Sequence, residues 1–109
     1  MAATTNLYID QGADFTANID ILQDNGEPFD LQGGNVIAQM RRSFYSTVAY
    51  PFATTILDEA NGNILLSMSG DVSSGLKPGR FMYDILVKQY NANTRVLEGI
   101  VTVYPQVSV

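Results

Sequence analysis

Residues 81–88 read FMYDILVK, and every odd-numbered side chain in this stretch is large and apolar. The even-numbered positions carry Asp84 and Lys88 and face the other way. A two-residue period of this kind is typical of a β-strand with one face on a core. We predict that residues 91–94, NANT, close a hairpin, and that the apolar positions from Leu97 to Val103 form the final strand against it.

The same period recurs in the first half of the chain. It runs through residues 15–21, through 36–44 and again through 64–68. Two segments contain an Asn-Gly pair. Residues 23–28 follow the strand of residues 15–21, and residues 58–63 directly precede the strand of residues 64–68. Asn-Gly readily adopts the positive φ angles of tight hairpins, so both segments predict turns.

Two segments interrupt the strand pattern. Residues 47–56 are rich in β-branched and aromatic side chains, but Pro51 lacks a backbone N–H, so this strand is predicted at a sheet edge or at a bulge. Residues 69–75 suit a single helical turn capped by Ser69 or Asp71. About seven short strands without a long helix favour an antiparallel sandwich or a small barrel. We predict an all-β fold, an antiparallel immunoglobulin-like β-sandwich.

The length of 109 residues suits one domain, residues 1–109. We expect its ends, residues 1–6 and 105–109, to be mobile or to be ordered by a partner. No apolar run reaches the roughly 20 residues that span a bilayer, and the N-terminus lacks the pattern of a signal peptide. We therefore expect neither translocation nor a membrane partner.

The composition excludes several kinds of chemistry. The chain contains no Cys and no His, the residues that supply most zinc, haem and copper ligands and the base of nucleophilic triads. We expect no metal and no cofactor. The net charge is −5 and the six basic residues are scattered, so no basic stripe indicates nucleic-acid binding.

Carboxylates are the remaining candidates for a catalytic or metal site. The two acidic turns lack the spacing of an EF-hand loop and are interpreted as hairpin turns. Asp84 and Glu98 are predicted to be hairpin neighbours that face solvent or pair with Arg41, Arg95 or Lys88. A hydrolase would need two such groups facing each other across a cleft, which the spacing alone does not indicate.

Aromatic residues outside the clear strand faces are candidates for a protein interface. Exposed tyrosines are enriched at interaction hot spots. The candidates are Phe44, Tyr45, Tyr50 and Tyr90.

Several stretches resemble a family of small virion proteins of tailed bacteriophages, similar to the N-terminal domain of baseplate upper proteins. Residues 7–15, LYIDQGADF, resemble the family's opening I-x-Q-G-x-x-F, and the resemblance continues through 24–31 and 38–41. Residues 76–84, LKPGRFMYD, are similar to L-x-x-G-x-Y-x-Y-D, and residues 95–105, RVLEGIVTVYP, to R-L-L-E-G-x-V-x-V-x-P. The motifs are turn glycines, strand cores and a final Pro, so they are features of the fold.

The resemblance implies a virion structural protein without enzymatic activity. Our first hypothesis is a tail or baseplate adaptor that forms a homo-oligomer and binds other virion proteins through its sheet edges and termini. Val107 and Val109 would add a strand to a neighbour. The alternatives are a capsid decoration protein, a carbohydrate- or receptor-binding module, and a carboxylate hydrolase.

Overall fold

Nine strands and one helical turn account for the regular structure in the computed structural model, which describes residues 3–23, 25–43 and 45–106. The strands are β1 Ala3–Thr4, β2 Leu7–Asp10, β3 Phe15–Asp20, β4 Asn35–Arg41, β5 Tyr50–Pro51, β6 Ala53–Asp58, β7 Asn63–Met68, β8 Gly79–Gln89 and β9 Ala92–Tyr104. The helical turn α1 spans Gly70–Ser73. Seven of the strands are longer than two residues, the number that the sequence predicts, although β2 is not among the predicted segments.

The strands form two packed sheets. The larger sheet has the order β1-β9-β8-β4-β5, with β2 also paired to β9, and the smaller has the order β3-β7-β6. Counted along the chain, β3, β4, β6, β7, β8 and β9 correspond to strands B, C, D, E, F and G of an immunoglobulin fold. As in that fold, strands B, E and D form one sheet, and strands C, F and G belong to the other. The predicted immunoglobulin-like sandwich is therefore confirmed.

The predicted core faces are confirmed on both sheets. The buried side chains alternate along the long strands, as a sheet with one face on the core requires, except at Val96 and Leu97 of β9, which are both buried. On the larger sheet they are Val36, Ala38, Met40, Phe81, Tyr83, Ile85, Val87, Leu97, Val101 and Val103, and on the smaller sheet Ile19, Ile64, Leu66 and Met68.

The turn between β8 and β9 lies earlier than predicted. Its central residues are Tyr90 and Asn91, with φ angles of 51° and 62°, and β9 begins at Ala92. The predicted turn over residues 91–94 is therefore wrong in position. A two-residue turn with two positive φ angles matches the twist of the flanking strands, and it leaves residues 92–94 free to extend the ladder.

The N-terminal pairing departs from a purely antiparallel sheet. Both β1 and β2 run parallel to β9, with Leu7 opposite Val101 and Ile9 opposite Val103. In the short link between β1 and β2, the Thr5 N–H donates a hydrogen bond to the Glu98 carbonyl oxygen. Residues 3–6, which the sequence assigns to a mobile end, thus lie along β9.

Gly99 allows this close approach of the N-terminal segment. A Cβ atom at position 99 would overlap the Thr5 carbonyl oxygen and lie 3.0 Å from the Tyr83 ring. The Tyr83 hydroxyl donates a hydrogen bond to the same carbonyl oxygen. Because glycine has no side chain, position 99 leaves room for the N-terminal segment to pair with β9.

The segment with Pro51 passes from one sheet to the other. β5 pairs with the edge of β4, whereas β6 pairs with β7 in the smaller sheet. Phe52, between them, is buried and packs against Phe15 and Tyr83. Pro51 lies on an edge strand, as predicted, because that position needs no second ladder partner.

Ser73 ties α1 to the β2–β3 loop. It is fully buried, its hydroxyl donates to the Ala13 carbonyl oxygen, and it accepts from the Gly12 N–H. Ser69 caps the helical turn, as predicted. The hydroxyl of Ser73 thus pairs with two backbone groups of the loop in a partly buried position, where an unpaired polar group is destabilising.

We predict that Ser73→Ala lowers the free energy of unfolding by about 1–3 kcal/mol, since it leaves backbone groups of the β2–β3 loop unpaired. The measurement is urea unfolding at neutral pH. Ser74→Ala is the matched control, because the Ser74 hydroxyl donates to the Asp71 carbonyl oxygen in an exposed position. Equal losses for the two variants would contradict the role given to Ser73.

Burial raises the pKa of Tyr83 to about 12. The unfolded chain would release the Tyr83 hydroxyl proton near pH 10, whereas the folded chain keeps it. The contribution of Tyr83 to the free energy of unfolding is therefore fully present below pH 10 and falls as the pH rises to 12. We predict a loss of about 1.4 kcal/mol per pH unit in this window. Denaturant unfolding of the parent and of Tyr83→Phe between pH 9 and 12 measures it, and identical slopes would contradict the prediction.

Candidate interaction surface

The side of the larger sheet that faces away from the core is the candidate functional surface, and we call it the outer face. It consists of the outward-pointing side chains of β4, β8 and β9, which alternate with the buried ones. Strand register arranges its centre in three rows: Arg41, Met82 and Ile100; Gln39, Asp84 and Glu98; and Ile37, Leu86 and Arg95. A shallow groove of about 540 Å³ runs across these rows.

Apolar side chains occupy much of the outer face. Ile37 is 38% exposed and Ile100 is 40% exposed, while Met82 and Leu86 are half-buried between their neighbours. Apolar side chains on the solvent side of a sheet, mixed with polar ones, are typical of protein–protein interfaces.

Two tyrosines extend the outer face toward the N-terminal strands. Tyr8 on β2 and Tyr104 on β9 stack with ring centroids 6.2 Å apart and an angle of 19° between the planes. Both remain about half exposed. They present a flat aromatic surface next to the apolar centre.

An ion-pair cluster lies in the middle of the outer face. The Arg95 guanidinium contacts Glu98 at 3.1 Å and Asp84 at 3.8 Å. The prediction that Asp84 and Glu98 are hairpin neighbours that pair with a basic residue is confirmed, and the partner is Arg95. Both carboxylates are directed at one guanidinium and are about two-fifths exposed, which is the arrangement of a surface ion pair.

A β-bulge in β9 puts Arg95 on this face. Ile85 pairs with Leu97 but Leu86 pairs with Arg95, so Val96 is the extra residue. Without the bulge, Arg95 would point to the same side as Leu97, into the core. The sequence pattern gives no signal for this bulge apart from the two adjacent apolar residues, Val96 and Leu97.

The predicted interface aromatics are not grouped in the structure. Tyr45 is 95% exposed in the loop after β4, and Tyr90 is 79% exposed at the turn after β8, at the opposite end of the sandwich. Tyr50 is half-buried and packs edge-to-face on Phe81, with ring centroids 5.9 Å apart. Phe44, Val107 and Val109 lie outside the described residues.

Sequence reasoning missed the apolar residues of the outer face. Ile37, Met82, Leu86 and Ile100 are apolar at positions whose strand neighbours are also apolar. A strand that is apolar at both its odd and its even positions is typical of a sheet covered on both faces. In residues 81–88 this signal is partial, because the outward positions carry Met82 and Leu86 but also Asp84 and Lys88.

The charges are distributed unequally along the strands. One end of the sandwich, here the acidic end, carries Asp20, Glu27, Asp30, Asp58, Glu59 and Lys88, a net charge of −4 among the described residues. The opposite end carries Asp10, Asp14, Asp71, Arg41, Arg42, Lys77 and Arg80, a net charge of +1. The net charge of the domain therefore differs between its two ends along the strand direction.

Within the described ranges, no group of three or more Asp or Glu side chains is placed to hold a metal ion. No helix in the described part of the chain has the length and hydropathy that crossing a bilayer requires.

Comparison with known proteins gives structural matches but no sequence match. No protein-family model matches the chain, and no curated protein does. The chain is similar to the N-terminal domain of phage TP901-1 ORF48, with a TM-score of 0.58 and 10% identity, over 94% of this chain and 97% of that one.

Two further structures are similar at lower TM-scores. They are InlP of Listeria monocytogenes, at 0.49 with 16% identity over 94% of this chain, and the Lin-41 filamin domain, at 0.46 with 14% identity over 89%. The chain spans 28% of the InlP structure and 82% of the filamin domain. At 10% identity, the match to the phage N-terminal domain shows a shared fold alone.

We predict that Arg95→Ala lowers the free energy of unfolding by about 0.5–1 kcal/mol at low ionic strength, because it leaves Asp84 and Glu98 facing each other without a cation. The loss should shrink in 1 M salt, which screens exposed charges. Urea unfolding at both salt concentrations measures it. Lys88→Ala, an exposed substitution on the same face, is the control, and a salt-independent loss at Arg95 would contradict the electrostatic explanation.

Proposed function

We propose that this chain is a bacteriophage structural protein that acts as a non-enzymatic adaptor in the tail or baseplate. The observation that carries the proposal is the match to a whole N-terminal domain of a phage protein, which covers nearly all of both chains. The turn and strand motifs of residues 7–15, 76–84 and 95–105 point to the same class of protein.

The outer face supplies a means of attachment. It combines apolar side chains such as Ile37 and Ile100 with polar and charged neighbours, a mixture suited to association between folded proteins. Because it lies on strands β4, β8 and β9, its side chains are held in fixed positions by the core beneath them. Attachment then works by complementarity between preformed surfaces, with little ordering on binding.

The other function classes have less support in this geometry. Tyr45 and Tyr90, candidates for a sugar site from the sequence, lie at opposite ends of the sandwich and do not form one binding position. A carboxylate hydrolase would need two acidic groups that face a substrate, whereas Asp84 and Glu98 are both engaged by Arg95.

The proposal places the protein in assembled virions, in contact with other virion proteins. Copies would be arranged according to the symmetry of the structure to which they attach. A capsid decoration protein is the alternative within this class, and it would use the same kind of surface on the shell of the head.

Immunogold electron microscopy of intact virions tests the proposal. We expect an antibody against this chain to label the tail or its tip. Label confined to the head would replace the adaptor by the decoration protein. Particles without label, and without the chain by mass spectrometry, would overturn the structural role.

We further predict that Ile100→Asp reduces incorporation into particles at least tenfold, because it puts an unpaired charge in the centre of the attachment surface. Incorporation is measured by mass spectrometry of purified virions. The matched control is Val72→Asp, an exposed position on α1 outside the outer face. Both variants should unfold at the temperature of the parent to within a few degrees, and equal incorporation of the two would exclude the outer face as the attachment site.

A further inference from the structure

We propose that the outer face binds a second copy of this chain through a two-fold axis that lies over Met82 and Ile100, perpendicular to the strands. In this arrangement Arg80 of each copy pairs with Asp84 of the other. The inference rests on the proposed function, because it names the first partner of the surface proposed there for attachment.

The spacing of charges along β8 makes the outer face self-complementary. Arg80 and Asp84 lie two residues before and two residues after Met82, and all three point outward. A two-fold axis over Met82 therefore brings Arg80 of one copy over Asp84 of the other, and it does so twice. Face-to-face sheets lie about 10 Å apart, a distance that an Arg and an Asp side chain span together.

The centre of this arrangement is apolar. Met82 and Ile100 are opposite each other in the β8–β9 ladder, and Ile100 is 40% exposed. On β9 the same axis brings Thr102 of one copy over Glu98 of the other, so it does not juxtapose like charges there. An apolar centre with charged pairs around it is the usual composition of a specific interface.

The neighbouring charged residues leave this pairing available. Asp84 is 3.8 Å from Arg95 and 43% exposed, so part of its carboxylate faces solvent. The axis also passes over Arg41, the third residue in the row of Met82. The Arg41 guanidinium donates to the Ser46 carbonyl oxygen of its own copy.

The charge distribution of the whole domain selects this orientation. A two-fold axis perpendicular to the strands places the acidic end of one copy, with a net charge of −4, beside the opposite end of the other, with +1. An axis parallel to the strands would bring the two acidic ends together, which repel. The antiparallel arrangement is therefore the electrostatically favoured one.

The size of the face fits a dimer of modest affinity. The three strands of the outer face and the adjoining β2, spaced about 4.8 Å apart over about 25 Å of their length, project about 500 Å². A standard interface buries about 800 Å² of accessible surface per partner, so this face is near the lower limit. We expect a dissociation constant in the micromolar range, on the order of 10 μM.

A charge swap tests the pairing. In Arg80→Glu both sites of the dimer contain two carboxylates, and in Asp84→Arg both contain two guanidinium groups, so each variant alone should be monomeric. An equimolar mixture should form a heterodimer. One of its sites joins the introduced glutamate of the first variant to the introduced arginine of the second, and the other site joins the unchanged Asp84 to the unchanged Arg80. Sedimentation velocity from about 5 to 500 μM, a range that brackets the expected affinity, measures each sample.

Lys88→Glu is the matched control, since it reverses one charge on the same face of β8, six residues from the axis. It should dimerise like the parent. Circular dichroism and thermal unfolding show whether each variant is folded, and heterodimer formation is itself evidence that both partners are folded.

Three results would overturn the inference: a parent that stays monomeric across the range, single variants that still dimerise, or a mixture that shows no heterodimer. The virion labelling separates this failure from failure of the proposed function. A monomeric chain that still labels the tail leaves the adaptor in place and excludes only the second copy as its partner. A dimer absent from virions retains the pairing and removes the virion role.

Discussion

The pairing of β8 with β9 is the constraint on which the rest of the structure depends. It is the longest ladder in the domain, from Gly79 opposite Val103 to Gln89 opposite Ala92. β4 is added to one side of this hairpin, and β1 and β2 to the other. Every element of the larger sheet is therefore positioned, directly or through β4, by one of these two strands, and the smaller sheet packs on the face that they present.

The bulge at Val96 determines what each face of the hairpin displays. On the inner face it allows Val96 and Leu97, adjacent in sequence, both to be buried. On the outer face it brings Arg95 level with Leu86 and within reach of Glu98. A single extra residue thus fills the core and supplies the cation that keeps two facing carboxylates compatible.

The local pattern predicts most of the strands because alternation is a property of each segment by itself. Residues 15–21 and 81–88 show their core faces directly, and Pro51 indicates an edge. Parallel pairing of the N-terminal segment could not be predicted in this way, since the close approach of Thr5 depends on the absence of a side chain at Gly99, remote in sequence. The grouping of charges at one end was also hidden, because turns far apart in the chain meet there only after folding.

The candidate site was predicted least well, for a related reason. Exposed tyrosines are conspicuous in a sequence, but Tyr45 and Tyr90 are separated by the length of the sheet. The apolar residues of the outer face belong to segments that resemble ordinary strands, and only the register shows that Met82 and Ile100 are neighbours. Three of the edge strands offer little free backbone: β1 and β5 have two residues each, and Thr54 at the start of β6 donates to the Val36 carbonyl oxygen. Association through side chains on a face, rather than through backbone at an edge, makes recognition depend on the positions of a few charges around an apolar centre.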